Sequence, residues 1–557
     1  MKHKNNNLRV IDFFCGAGGF SEGFRQQGFK IVKGVDYWGP AIATHNLNHG
    51  LNDDVKNVLD FWSEDTSDVE EIEKLEDVEV IVGSPSCTYF SMSNKCGRAD
   101  KTDGIHLIET YLRVIAVKKH KNKSVLNAWY MENVPQARHY IQDRYTFEDL
   151  NLAQWAISSG YKKTDVALNI KGDILNAGDY GACQNRKRFI IGEWILTGEF
   201  LYPKITHKKH KTVNDVVGKM PSPVLPKNTK RVVDPNYEQV KIPVSRLTDH
   251  FYDSGVYRID WERAEFAKTN HPFMGKMFFP DNKQKTSRTI MATISASTRE
   301  SILYESEYMR QGDGQYRTPT IREAASLMGF PFVYQFSGGT ESIKWRQIGN
   351  AVCPHQSAAL AQVVRSKMGL SPVMEEDIEF SNSKYNKIIN LNTFSERIFK
   401  APTKRKKNAR FRRHTFKSGN MTVDLMNYNP NDRNMVAKNW YVVIFSGTGE
   451  GYDIKVLNKK DKKNIESILK ESLYCFAMYE SELKKISFDK SILQDVYEND
   501  LLLDNDSNPV LLVKRLGKII QSFEGHDKTI ENINITRRQS MPIGQLMSAY
   551  GLMSIIY

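Results

Sequence analysis

A chain of 557 residues is too long for a single hydrophobic core, and at about 150 residues per domain it should divide into roughly three. Its 40% hydrophobic and 11% aromatic content is that of ordinary globular protein, and no apolar run reaches the roughly 18 residues that a membrane helix needs. A formal charge of +13 admits a polyanionic partner such as nucleic acid without requiring one, because basic surfaces also serve solubility.

The N-terminus MKHKNNNLRV is polar and lacks the apolar region of a signal peptide. Apolar strands are predicted at 8–13, 29–35, 78–82, 125–131 and 189–195, separated by stretches of helix length. Strand and helix in alternation over 8–200 predict an α/β fold on a doubly wound, mostly parallel sheet. From about 199 to 316 the texture changes to PKITHKKHKT, MPSPVLPKNTK and HPFMGKMFFPDNKQKTSRT, rich in Pro, Lys, Asn and aromatics, which predicts a separate irregular domain. Helix returns at Thr320-Ile321-Arg322-Glu323, a capping-box pattern, with Gly329 as its stop and Pro331 just beyond.

Residues 368–419 are polar and include TKRKKNARFRRH at 403–414, predicted as a linker or a basic arm able to track a phosphate backbone. Residues 420–557 have globular composition, with strand-like apolar runs at 439–445 and 509–513, and are predicted as an accessory α+β domain. They also hold Asp453-Ile454-Lys455, a nuclease-type acidic-x-lysine pattern too short to carry an assignment. The six cysteines, Cys15, Cys87, Cys96, Cys183, Cys353 and Cys475, are scattered without a CxxC pair. Reduced thiols are therefore expected, in a cytoplasmic protein, with neither a disulfide framework nor a metal site.

The chemistry-bearing residues converge on one sheet edge. Gly16, Gly18 and Gly19 follow the first strand and allow a tight strand-to-helix turn on which a ligand can approach the backbone. Ser21 stands where GxGxxG has its third glycine, so a nicotinamide turn and a mere glycine cluster both stay open at this step. Asp36, ending the second strand, is placed to take ribose hydroxyls, and Tyr37 and Trp38 to stack on an adenine. Cys87 follows the third strand, Glu132 ends the fourth, and Gln184-Asn185-Arg186-Lys187-Arg188 precedes another strand. A thiol, a carboxyl and two guanidiniums on one rim make a candidate site where each alone would be a solvated loop residue.

In order and spacing, DFFCGAGGFSEGF, GSPSCTYFS, ENV, QNRKR, RTPTIREAASLMGFP and RQIGNAVCP resemble the DNA cytosine-5 methyltransferases over roughly residues 8–367. The resemblance implies an S-adenosylmethionine-dependent, Rossmann-like domain at 1–198 completed by 340–367. It further implies a target-recognition domain at 199–316 and a joining segment at 317–339; residues 420–557 stay unassigned. It implies that a cytosine flipped from duplex DNA is attacked at C6 by Cys87, held by Glu132, and polarised at O2 by Arg188 with Arg186. Phe14, Gly16, Gly18, Gly19, Asp36, Tyr37, Asp54 and Asn350 are implied to hold the cofactor.

The family usually has proline before the cysteine and glutamine after it, whereas Ser86 and Thr88 stand there, with Phe90 and Ser91 in place. Double-stranded DNA is the expected partner of a monomer, with a cognate restriction endonuclease in the same system and no membrane. Two alternatives are a tRNA cytosine-5 methyltransferase of the same family and a DNA-binding protein acting mainly through its C-terminal domain. A nicotinamide oxidoreductase would explain neither Cys87 nor QNRKR.

Overall fold

The computed structural model describes residues 8–557 except 64–66, 91–99, 224–229, 270–276, 308–313, 381–389, 391–404, 406, 419–420, 433, 438, 448–452, 500–506 and 538. Ser91, Cys96 and Lys404 thus lie outside the described residues.

The central sheet has six strands: β1 (Arg9–Phe13), β2 (Lys30–Val35), β3 (Val80–Gly83), β4 (Ala128–Asn133), β5 (Lys171–Asn176) and β6 (Lys187–Trp194). Their spatial order is β2-β1-β3-β4-β6-β5, with the first four parallel and β6 antiparallel to both β4 and β5. Successive residues along the parallel strands go to opposite faces. Ile11, Phe13, Ile81, Trp129 and Met131 fill one core; Val10, Val80, Val82, Ala128 and Tyr130 fill the other. The first face is covered by helix Thr102–His120 through Tyr111, Leu112 and Ile115, the second by Gly19–Gln26 and Pro354–Lys367 through Phe20, Phe24, Leu360 and Val364. Two covered faces explain why these strands read as continuous apolar runs.

Two differences from the expected strands have simple causes. The strand expected from residue 125 begins at Ala128, and Val125 is exposed ahead of it. Strand β5 carries no apolar run, because it is an edge strand on which only Leu175 is buried.

Residues 199–316 are irregular, with short strand pairs, small apolar clusters around Tyr237 and Leu303, a single helical turn at Val213–Val216 and, among the described residues, one longer helix, Arg258–Thr269. That helix escaped the sequence reading because it buries only Ala264 and Lys268, too little for an apolar period. Helix Ile321–Met328 has the expected ends: Thr320 Oγ1 accepts from Glu323 N–H, the Glu323 carboxylate accepts from Thr320 N–H at 2.8 Å, and Gly329 takes φ 92°.

The C-terminal third is a four-stranded antiparallel sheet, in chain order Arg412–Ser418, Met421–Met426, Tyr441–Ser446 and Asp453–Val456, packed against helices. Two expectations are corrected here. The basic stretch is not a free arm from Arg412 onward but a strand, on which Arg412 pairs with Asp424 at 2.5 Å and stacks 3.8 Å from the Phe445 ring centroid. Residues 509–513 begin a helix, Pro509–Gln521: Asn508 caps it, Pro509 takes its first turn, and Leu512, Val513, Leu516 and Ile520 bury at helical spacing. A short β-rich apolar run cannot be told from the start of a buried helix by pattern alone. Lys455 of the acidic-x-lysine pattern pairs with Asp461 at 3.3 Å, and Asp453 accepts from Arg537 N–H. No metal-binding cluster occurs among the described residues, and no described helix is long and apolar enough to cross a membrane.

Candidate active site

A cavity of about 350 Å³ opens at the C-terminal ends of β1 to β4. The strand order reverses between β1 and β3, and that reversal parts the connecting loops and leaves a crevice.

Phe14 and Gly16, both at φ 53°, turn the chain out of β1 into this cavity. Asp36 fastens the turn to β2, its two carboxylate oxygens accepting from Gly16 N–H at 2.9 Å and Trp38 N–H at 2.8 Å. Burial raises the Asp36 pKa, and these hydrogen bonds oppose the rise. Tyr37 is 60% exposed at the mouth, and Trp38 stacks under Arg346, whose guanidinium carbon is 4.7 Å from the ring centroid.

Of the residues expected around a cofactor, Phe14, Gly16, Asp36, Tyr37 and Asn350 line the cavity, whereas Gly18, Gly19 and Asp54 do not. Gly18, at φ 84°, faces Tyr334, His45 and His49, and a Cβ on Gly19 would overlap the Val352 carbonyl. Both glycines therefore let the helix Gly19–Gln26 seat against its neighbours. Asp54 is exposed, and its neighbour Asp53 braces β2 instead, accepting from Gly34 N–H and pairing with Lys33 at 3.0 Å. Arg346 and Gln347 line the cavity too and were missed. The signal was available: they sit one helical turn before Asn350 on Glu341–Asn350.

The loop after β3 carries Cys87 at the start of a short 3₁₀ turn, Cys87–Tyr89, facing the same cavity. Three hydrogen bonds to the ends of β1 and β4 fix it: Ser84 N–H donates to Phe13 O, Ser84 Oγ–H to Phe14 O, and Asn133 Nδ2–H to Pro85 O at 3.1 Å. Ser86 holds φ −50°, within the range that proline would impose, and its hydroxyl lies 3.3 Å from Thr88 Oγ1. Burial raises the Cys87 thiol pKa; Arg188 and Arg186 oppose this and Glu132 adds to it. The nearby cations therefore offset the cost of burying a thiolate without reversing it.

Because β6 runs antiparallel to β4, its beginning lies beside β4's end, with Glu132 opposite Ile190 and Asn133 opposite Phe189. That register delivers Arg186 and Arg188 to the rim. Arg188 Nε stands 2.7 Å from Glu132 Oε1, yet no N–H points at that oxygen, which has no hydrogen bond among the described residues. Arg186 is buried, donating to the carbonyls of Gly349 and Ala351, with Nε unpartnered. Burial first and then Arg188 lower its pKa to about 10. The result is a pocket in which a thiol, a carboxylate oxygen and two guanidiniums meet with unspent hydrogen-bonding capacity.

Residues 8–366 match the family model of the C-5 cytosine-specific DNA methylases. Among curated relatives, the type II methyltransferase M1.HphI of Haemophilus parahaemolyticus is 27% identical over 361 residues, covering 64% of this chain and 87% of its own. The type II methyltransferase M.MthTI of Methanothermobacter thermautotrophicus is 26% identical over 380 residues, covering 65% and 98%. Among solved structures, the methyltransferase EhMeth of Entamoeba histolytica aligns with a TM-score of 0.43 and 16% identity over 65% of this chain and 99% of its own. The family match runs through every strand of the cavity-bearing sheet and covers more than half of the chain, which belongs to the C-5 cytosine-specific DNA methylases.

Proposed function

We propose that this DNA cytosine-5 methyltransferase modifies a specific duplex sequence, using Cys87 as nucleophile and S-adenosylmethionine as methyl donor. The observation that carries the reading is the shared cavity: Cys87, Glu132, Arg186 and Arg188 line the same space as Phe14, Asp36 and Trp38.

The cofactor half fits that donor. About 350 Å³ lies within the ~300–1,000 Å³ of small-molecule sites, and an acid and aromatics line it next to the thiol. Asp36 would take the ribose hydroxyls and Trp38 and Tyr37 would flank the adenine. When bound, the cofactor supplies an electrophilic methyl group on a sulfonium sulfur.

The protein's own groups divide the remaining work. The target cytosine must leave the stack, because its C6 is closed to a nucleophile within the duplex. Cys87 Sγ, as thiolate, forms a bond to C6, and the ring's electrons move toward N3 and C5. Glu132 Oε1, which accepts no hydrogen bond from the described residues, is placed to hold N3 and the exocyclic amine and to supply the proton that N3 gains. Arg188 and Arg186 stabilise charge developing on O2 and offset the cost of the thiolate. Once C5 carries the new methyl group, loss of its proton to solvent re-forms the C5–C6 double bond and expels the Cys87 thiolate, and N3 returns its proton to Glu132.

Residues 199–316 would read the sequence, with Lys, Arg, Asn and Gln side chains on irregular loops as donors to base edges. The likeness to proteins named type II methyltransferases supports a place beside a cognate endonuclease. Incubation with methyl-labelled cofactor and either duplex DNA or tRNA tests the substrate: label in DNA supports the reading, and label in tRNA alone refutes it. Bisulfite sequencing of DNA from expressing cells then gives the target sequence.

A further inference from the structure

The helix Arg258–Thr269 of the irregular segment packs against the first strand of the C-terminal sheet, Arg412–Ser418. Phe266 is the centre of that packing, with its ring 5.1 Å from the His414 ring and 4.6 Å from the Arg413 guanidinium carbon. Arg405 lies at the same seam, stacked 4.1 Å from the Tyr497 ring centroid and donating one N–H to the Tyr497 carbonyl. Arg263 is exposed one helical turn before Phe266, and the Tyr497 ring that carries Arg405 packs edge-on at 5.1 Å against Phe411, two residues before Arg413.

Three guanidiniums from two parts of the chain thus converge, and none has a carboxylate within ion-pair distance among the described residues. Arg413 is half-buried with no hydrogen-bond acceptor among them, and Arg405 Nε is buried and unpartnered. Glu262 and Glu265 face the group from the same helix, but Glu262 is held by Arg258 at 3.0 Å. Exposed Lys407 and Arg410 add positive charge nearby. Like charges gathered without a paired carboxylate cost free energy unless an anion completes them, and the fork of a guanidinium matches phosphate oxygens.

We infer that Arg263, Arg405 and Arg413 form a phosphate-binding seam for the backbone of duplex DNA, so that the C-terminal third extends the DNA grip of the recognition segment. This rests on the reading of the chain as a duplex-DNA methyltransferase. The positions follow from the packing: aromatic rings hold two of the arginines rigid, and rigid charges lose little entropy on engaging a phosphate.

The test uses the full chain. Wild type, Arg263→Glu, Arg413→Gln and Arg413→Lys are compared for duplex binding across a salt series and for single-turnover methylation at saturating DNA. The expected result is weaker binding for Arg263→Glu and Arg413→Gln, with the log–log salt slope shallower by about 0.9 for each phosphate that the variant no longer neutralises. Arg413→Lys should keep the slope, and the methylated sequence and saturated rate should not change. Unchanged affinity and slope in Arg263→Glu, whose exposed position spares folding, would overturn the inference even if Arg413→Gln misfolds. Binding of inorganic phosphate to the wild-type seam with a normal DNA slope in both variants would make it a small-anion site, which also overturns it. Absence of any methyl transfer to DNA by wild type would instead sink the reading beneath it.

Discussion

Glu132 and Arg188 stand 2.7 Å apart across an antiparallel strand pair and both act on Cys87, in opposite senses: the guanidinium lowers the thiol's pKa and the carboxylate raises it. The pair leaves Glu132 Oε1 without a hydrogen bond, so the site is charged and incompletely satisfied before any base arrives.

This arrangement predicts how the free thiol titrates. Burial dominates and the Cys87 pKa is raised, so alkylation, taken as the difference between wild type and Cys87→Ser, should rise with pH to a midpoint above the ordinary cysteine value near 8.5. Glu132→Gln should move that midpoint down and Arg188→Gln should move it up. Midpoints that shift together, or not at all, would remove this pair from control of the nucleophile.

Gly19 should tolerate no side chain, because a Cβ there meets the backbone carbonyl of Val352. Gly19→Ala is expected to cost about 1–3 kcal/mol of stability and to weaken cofactor binding, since the helix Gly19–Gln26 would have to withdraw from the cavity wall. Thermal unfolding and cofactor titration check this; a variant with wild-type values for both would show that the helix has room to move.

Ser86 stands where the family motif implies proline, and its φ of −50° is one that proline adopts. Ser86→Pro should therefore stabilise the protein by about 0.4–1 kcal/mol through the unfolded chain, without loss of the single-turnover rate. A lower melting temperature would mean that the Ser86–Thr88 hydroxyl pair, or the Ser86 N–H, matters more than the backbone match.

The parallel strands and the rim were legible because both faces of the sheet are covered and the chemistry-bearing residues sit at strand ends. Cys87, Glu132 and Arg188 each followed or preceded an apolar run, and the structure brings all three to one cavity. What escaped had no such signal. The edge strand Lys171–Asn176 buries little, the helix Arg258–Thr269 buries two side chains, and Pro509–Gln521 opens with residues that suit a strand equally well. Gly18 and Gly19 show a different limit: a glycine motif marks close approach but does not say whether a ligand or another part of the protein approaches.

Beneath the glycine turn after β1, His45 and His49 lie ring to ring at 4.7 Å, and burial pushes His49 down to about 3 and His45 well below its usual value. A folded pKa below the unfolded one stabilises the fold above pH 6.5 and loses that contribution as pH falls, at up to about 1.4 kcal/mol per unit per histidine. Asp12, raised to about 7 by burial, acts in the opposite sense and gains stability as pH falls from 7. His49→Gln should therefore lose less stability than wild type between pH 6.5 and 5, read as melting temperature. Parallel curves would place the titrating groups elsewhere.

The central claim is that Cys87 bonds to C6 of the target cytosine. Duplex DNA carrying 5-fluorocytosine at the methylated position tests it most directly, because fluorine at C5 cannot leave as a proton does and the adduct persists. With methyl donor present, wild-type protein should form a denaturation-resistant complex with this DNA through a peptide containing Cys87. Cys87→Ser should form none while still binding the cofactor. Wild-type protein that methylates cytosine in this sequence but forms no adduct, or an adduct that survives in Cys87→Ser, would contradict the account.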